Sequence, residues 1–100
     1  MNIVVTGASR GIGYELVKQF SINPDNTILA VSRNLEKLEQ LKKECKNANV
    51  IVIACDLGKP DAMGHLITQF KRHVTIINAV VNNAGTLVNK PFSQNFGGFF

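Results

Sequence analysis

Residues 6–13, TGASRGIG, form a glycine-rich stretch between a short apolar run and an amphipathic segment. In a loop that joins a strand to a helix, Gly7 permits a tight turn and Gly11 lets the backbone approach a pyrophosphate. Gly13 lets the helix lie close to the sheet, and the helix N-terminus offers free N–H groups and partial positive charge to phosphates. A glycine-rich connector without a ligand is the alternative, which the strand before it and the helix after it disfavour.

Apolar runs and amphipathic segments alternate along the rest of the sequence. Four short runs are rich in Val and Ile without a period of two, which suits strands covered on both faces. These runs lie at residues 3–5, 28–31, 50–55 and 76–81. Strands separated by helices are joined by right-handed crossovers, so the alternation predicts a parallel sheet.

The three segments between the runs have the apolar spacing of amphipathic helices. In the first, Ile12, Leu16 and Phe20 fall on one face, which we expect to contact the sheet. The second follows Asn34, a preferred N-cap residue, and the third follows Pro60, which suits a first helical turn. The apolar stripes of the second and third segments are Leu35, Leu38, Leu41 and Cys45, and Met63, Leu66, Ile67 and Phe70.

The resulting order, β-α-β-α-β-α-β, predicts the α/β class. We expect a Rossmann-type doubly wound parallel sheet with strand order 3-2-1-4. Residues 1–92 are predicted to form one dinucleotide-binding half-domain. Residues 93–100 combine Asn, Gly and Phe without periodicity, and we expect them to be an irregular tail of a truncated chain.

The end of the second run indicates which dinucleotide is bound. A Rossmann fold reads the adenosine ribose roughly 20 residues beyond the glycine loop, where an NAD site carries Asp or Glu. Here residues 31–34 read VSRN, and the first carboxylate is Glu36. The guanidinium of Arg33 suits a 2′-phosphate, which Arg10 in the glycine loop is placed to approach from the other side. This pattern predicts NADP(H) in preference to NAD(H); two surface arginines without a ligand are the alternative.

Three motifs in this order resemble the short-chain dehydrogenase/reductase family. They are residues 6–13, Asp56-Leu57 after the third run, and residues 82–85, NNAG, after the fourth. The resemblance implies that Asp56 accepts a hydrogen bond from the adenine amino group; the alternative is a turn or capping residue. It also implies that Asn82 is structural. The predicted cofactor-binding residues are Gly7, Ser9, Arg10, Gly11, Ile12, Gly13, Arg33, Asp56, Leu57, Asn83, Ala84 and Gly85.

The same resemblance implies an NADP(H)-dependent oxidoreductase that reduces a carbonyl or oxidises an alcohol by hydride transfer. Its members handle the proton with a Tyr activated by a Lys four residues later, and a Ser orients the substrate oxygen. We expect these groups beyond position 100. Tyr14 and Lys18 have that spacing, but the face defined by Ile12 leaves them on the solvent side, so no catalytic residue is assigned.

Two further expectations about the complete protein follow from the resemblance. It is expected to be a homo-oligomer that acts on a small-molecule carbonyl or alcohol. The alternative function is a non-catalytic NADP(H)-binding or sensor module. A Ser and a Tyr-x-x-x-Lys further along the chain would favour the enzyme.

Composition and charge exclude several other classes of function. The net charge of +4 comes from scattered Lys and Arg, without a finger or an RNA-binding signature, so no nucleic-acid partner is predicted. The longest apolar runs, such as residues 50–55, are far too short to span a bilayer, so no membrane partner is predicted.

The cysteines and histidines predict neither a metal site nor a disulfide framework. Cys45 and Cys55 are ten positions apart and have no CxxC partner, and His65 and His73 have no ligand partner at metal spacing. Two free thiols fit a reducing compartment, and we expect the cytoplasm.

Overall fold

The computed structural model of the chain describes residues 1–46 and 49–83. Within them, strands and helices alternate as the sequence predicts. The strands are β1 (Asn2–Thr6), β2 (Thr27–Ser32), β3 (Asn49–Ala54) and β4 (Ala79–Asn82). The helices are α1 (Gly11–Phe20), α2 (Leu35–Glu44) and α3 (Ala62–His73). All pairings are parallel in the order β3-β2-β1-β4, so the predicted strand order and fold class are confirmed.

Helices cover both faces of the sheet, because successive strand residues point to opposite sides. On β1, Ile3 and Val5 pack with Val17 of α1 and with Leu38 and Leu41 of α2. The residue between them, Val4, belongs to a second cluster with Leu66 and Phe70 of α3. Both clusters exclude water, which explains why the strands are apolar on both faces.

The helices α2 and α3 begin and pack largely as predicted. Asn34 caps α2, since its Oδ1 accepts a hydrogen bond from the Lys37 backbone N–H at 3.1 Å. Leu35 was predicted to belong to the apolar stripe of α2, but it is half exposed. Helix α3 starts at Ala62 with Asp61 as its N-cap, so the prediction that Pro60 lies in the first helical turn is wrong, and Pro60 precedes the helix. Its fully buried stripe is Ala62, Leu66 and Phe70, while Met63 and Ile67 are half-buried.

The face that α1 presents to the sheet differs from the predicted one. Ile12 is 70% exposed, whereas Gly13 and Val17 are buried. Successive helical residues are about 100° apart, so a helix that packs through Gly13 and Val17 turns Ile12 away from the sheet. The prediction that Ile12 contacts the sheet is therefore wrong, because α1 approaches the sheet through Gly13.

Candidate functional site

A cleft of about 680 Å³ lies at the carboxyl ends of the strands, where open α/β sheets bind their ligands. Its walls come from the segments that follow β1, β2, β3 and β4. The predicted cofactor-binding residues that line it are Gly7, Ser9, Arg10, Gly11, Ile12, Arg33, Asp56, Leu57 and Asn83. Ala84 and Gly85 lie outside the described residues, as does the predicted tail at 93–100.

The glycine loop has a backbone conformation that favours glycine at two positions. Gly7 has a φ of 63° and Gly11 a φ of 60°, both in the left-handed region. An added Cβ at Gly11 would meet no atom within 4 Å, so the restriction there comes from the backbone and the space beside it is open. The loop therefore leaves room for a ligand against its backbone.

The N-terminus of α1 is suited to an anion. Arg10 is its N-cap residue and makes no capping hydrogen bond through its side chain, and the first turn contains no acidic residue. The free N–H groups of a helix N-terminus carry partial positive charge, and a phosphate satisfies both their hydrogen bonds and that charge. This terminus therefore fits the pyrophosphate of a dinucleotide.

Gly13 lies behind the loop and does not line the cleft. An added Cβ there would stand 2.9 Å from Asn83 Nδ2 and would clash with the Gly7 carbonyl oxygen. The helix and the turn after β1 can approach this closely only where no side chain intervenes. The predicted close packing at Gly13 is thus present, and it fixes the position of the loop rather than a ligand contact.

A buried hydroxyl joins the carboxyl ends of the neighbouring strands β1 and β4. Thr6 is 1% exposed, and its Oγ1 donates to Asn82 Oδ1 at 2.8 Å. The same oxygen accepts a hydrogen bond from the Asn83 backbone N–H at 3.0 Å. Sequence reasoning did not identify Thr6, although a polar residue at the buried end of an apolar run needs a partner there. The contact gives Asn82 a structural role, as the family resemblance implies.

The two predicted arginines lie on the cleft, at its β1 and β2 ends. Arg10 and Arg33 are both exposed, and neither forms an ion pair within residues 1–46 and 49–83. The cleft is also lined by Lys37, which sequence reasoning missed. Its position in the first turn of α2, three residues after the Asn34 cap, is the signal that could have indicated it. The cleft therefore presents several cations without carboxylate partners.

Asp56 is a turn residue and also a cleft residue. Its Oδ1 accepts a hydrogen bond from the Gly58 backbone N–H at 2.9 Å. The preceding backbone is anchored to β2, since the Cys55 N–H donates to the Ser32 carbonyl at 2.8 Å. An ionised carboxylate has about four acceptor positions, so the turn leaves Asp56 capacity for an adenine amino group. Leu57 also lines the cleft, and it packs against the apolar cluster that contains Leu66 and Phe70 of α3.

Tyr14 and Lys18 lie away from the cleft lining and share one partner. The Tyr14 hydroxyl donates to Glu44 Oε2 at 2.7 Å, and Lys18 Nζ is 3.6 Å from Glu44 Oε1. Burial and the bond to Glu44 raise the pKa of Tyr14 to about 12. A tyrosine that donates a proton near neutral pH needs a lowered pKa, whereas the pKa of Tyr14 is raised. The prediction that Tyr14 faces solvent is correct only in part, because the side chain is half-buried and packs against the apolar cluster that contains Val17, Leu38 and Leu41.

Neither a metal cluster nor a membrane-spanning helix is present in the described ranges. No group of three His, Cys, Asp or Glu side chains there is arranged to hold a metal ion. None of α1, α2 and α3 has the length and the apolar character that a membrane crossing requires.

Comparison with known proteins identifies the chain's relatives. The family profile described as short chain dehydrogenase matches residues 1–95. The probable chloroplastic chlorophyll(ide) b reductase of Arabidopsis thaliana is 32% identical over 109 residues, covering 91% of this chain and 22% of the relative. The crystal structure of the KRED1-Pglu enzyme is 37% identical with a TM-score of 0.75, covering 91% of this chain and 38% of that one.

A second solved structure is a metagenomic short-chain oxidoreductase in complex with NADP. It is 30% identical with a TM-score of 0.78, and the match covers 91% of this chain and 42% of that one. The chain thus spans less than half the length of these relatives, and the match falls on the part that contains the cleft.

Proposed function

The chain belongs to the short-chain dehydrogenase family, and from this premise we propose that it supplies the cofactor-binding part of an NADP(H)-dependent oxidoreductase. The reaction proposed for the full protein is reduction of a carbonyl group or oxidation of an alcohol on a small molecule. The nicotinamide of the cofactor, when bound, donates or accepts the hydride.

The charge of the cleft is the observation that carries this proposal. Arg10 and Arg33 line it without carboxylate partners in the described part of the chain. The β2 end carries Ser32, Arg33 and Asn34, with no Asp or Glu to accept hydrogen bonds from a free 2′-hydroxyl. A guanidinium donates in pairs to a phosphate and stays charged, so this end suits the 2′-phosphate of NADP(H). The NADP complex of the metagenomic relative supports the same choice.

The remaining cleft residues bind and orient the rest of the cofactor. The free N–H groups at the start of α1 hold the pyrophosphate, and the open space at Gly11 lets it approach the backbone. Asp56 accepts a hydrogen bond from the adenine amino group, while its turn with Gly58 fixes the carboxylate. Asn83, anchored through Thr6, shapes the wall after β4. These residues position the cofactor, and the proton of the reaction is handled elsewhere in the full protein.

The test of the proposed function is turnover by the full chain. We expect NADPH absorbance to fall when the protein is mixed with a panel of aldehydes and ketones, and NADH to support a lower rate. The variant Arg33→Asp should lower the NADPH-supported rate by at least about tenfold at limiting cofactor, as loss of a charged hydrogen bond predicts. Binding of NADPH with no turnover on any carbonyl or alcohol would instead support the non-catalytic sensor.

We also propose where the protein acts and in what assembly. Cys45 and Cys55 are both free, which fits a reducing compartment such as the cytoplasm. A fluorescent fusion of the full chain tests this, and a signal confined to an organelle would contradict it.

The proposed homo-oligomer is tested by light scattering of the full chain, where a monomer mass would refute it.

A further inference from the structure

Lys37 is a cleft residue for which the function proposed above gives no role. It belongs to the first turn of α2, where its backbone N–H donates to the capping Asn34. Lys37 is exposed and lines the same cleft as Arg33. The cap fixes where α2 begins, and it therefore fixes Lys37 relative to the end of β2.

In the first turn of α2, Lys37 suits a ligand in the cleft and not the helix, whereas Glu36 suits the helix. A helix N-terminus favours carboxylates and disfavours cations, because its free N–H groups are already positive. The acidic residue of this turn, Glu36, lines a separate surface depression together with Glu39 and Lys43. The cation Lys37 is the one that lines the cleft. An anion bound in the cleft attracts Lys37 and so offsets the unfavourable position of this cation at the N-terminus of α2.

The protein itself does not neutralise this cation. Within residues 1–46 and 49–83, the ion pair formed is that of Lys18 with Glu44, and Lys37 has no carboxylate within 4.0 Å. A phosphate monoester carries about −1.5 to −2 charges at neutral pH, so a single guanidinium does not balance it. The cofactor adds the charge of its pyrophosphate. A further cation beside Arg33 is therefore favoured.

We propose that Lys37 is a specificity-determining residue, whose ammonium group binds the same 2′-phosphate as Arg33. This inference rests on the proposed NADP(H) function. Arg33 supplies a planar pair of donors, and Lys37 supplies a compact charge from the start of α2. Together they favour the phosphorylated cofactor over NAD(H) from two positions that line the same cleft.

The test uses two small probes that differ only in the phosphate at issue. Dissociation constants of 2′,5′-ADP and 5′-AMP are measured by calorimetry on the full chain and on its Lys37→Gln variant. We expect the substitution to weaken 2′,5′-ADP binding about five- to tenfold, as loss of one exposed charged contact predicts. Binding of 5′-AMP should change by less than about twofold, and Lys37→Arg should restore most of the loss, because it keeps the charge.

Lys43→Gln is the matched control, since Lys43 lies on α2 away from the cleft. It removes the same charge and should leave both dissociation constants unchanged. An unchanged 2′,5′-ADP constant in Lys37→Gln, with Arg33→Asp still weakening it, would overturn the role of Lys37 alone. An equal loss for both probes would overturn it too, since the side chain would then not read the 2′-phosphate. A wild-type chain that binds both probes equally would overturn the proposed NADP(H) function as well.

Discussion

At Gly13 the contact between α1 and the turn after β1 leaves no space for a methyl group. An added Cβ would clash with the Gly7 carbonyl oxygen and stand 2.9 Å from Asn83 Nδ2. Backbone atoms are on one side of this contact, so a side-chain rotation does not relieve it. The close approach of α1 to the loop and to the wall after β4 therefore depends on the absence of a side chain at Gly13.

Gly13→Ala is therefore predicted to destabilise the protein and to weaken cofactor binding. Overpacking at such a contact costs about 1–3 kcal/mol of unfolding free energy. The displaced loop should also raise the dissociation constant of NADPH. Denaturant unfolding and fluorescence titration measure the two effects.

Gly64→Ala is the control for this prediction. Gly64 lies inside α3, where an added Cβ meets no atom within 4 Å. Alanine is the better helix former by up to about 1 kcal/mol, so this change should be neutral or stabilising. Equal stability losses in both variants would show that the contact at Gly13 is not the cause.

At the scale of elements, α1 and α2 are joined by one cluster of polar side chains. Glu44, at the end of α2, accepts hydrogen bonds from Tyr14 of α1 and from Gln40, and lies 3.6 Å from Lys18. The bond from Tyr14 is the main cause of a lowered pKa of Glu44, and burial is the main cause of the raised pKa of Tyr14. The cluster connects the two helices that cover one face of the sheet.

Tyr14→Phe should lower the stability of the protein most strongly near neutral pH. The contribution of Glu44 is present above its ordinary pKa of 4.5 and is lost as the pH falls through its lowered value. The contribution of Tyr14 is fully present below its ordinary pKa of 10.0 and is lost as the pH rises through about 12.

Unfolding of the wild type and of Tyr14→Phe in denaturant, at acidic and at neutral pH, measures this dependence. The difference between the two proteins should shrink as the pH falls through the lowered pKa of Glu44. A difference that stays constant across this range would show that the lost hydroxyl acts through packing and not through Glu44. NADPH binding should stay unchanged in this variant, because Tyr14 does not line the cleft.

The elements also show how far sequence patterns lead. Runs of Val and Ile and the glycines of residues 6–13 are local signals that predicted the strands and the loop. The family resemblance, and not these signals, predicted Asp56, Leu57 and Asn83 at the cleft. The face of α1 was mispredicted because a large apolar residue, Ile12, was taken as the buried one. The contact made by Thr6 joins residues 76 positions apart in the chain, and no local pattern specifies such a partner.

The whole molecule gathers its cleft from four distant parts of the chain. Lining residues from positions 7–12, 31–34, 55–58 and 83, with Lys37, meet there because every strand of the parallel sheet runs in the same direction. The apolar clusters on the two faces fix these ends in space. The chain has a net charge of +4, and three of its cations, Arg10, Arg33 and Lys37, line one cleft at this edge of the sheet.

The central claim is that this cleft selects NADP(H) through the 2′-phosphate, and cofactor preference tests it most directly. The dissociation constants of NADPH and NADH are measured for the full chain, for Arg33→Asp, and for Arg72→Asp, the same charge change on α3 away from the cleft. We predict that the wild type and Arg72→Asp bind NADPH at least about tenfold more tightly than NADH, or about 1.4 kcal/mol. Arg33→Asp should lose that preference. Binding of NADPH to Arg33→Asp that is as tight as to the wild type would contradict the claim.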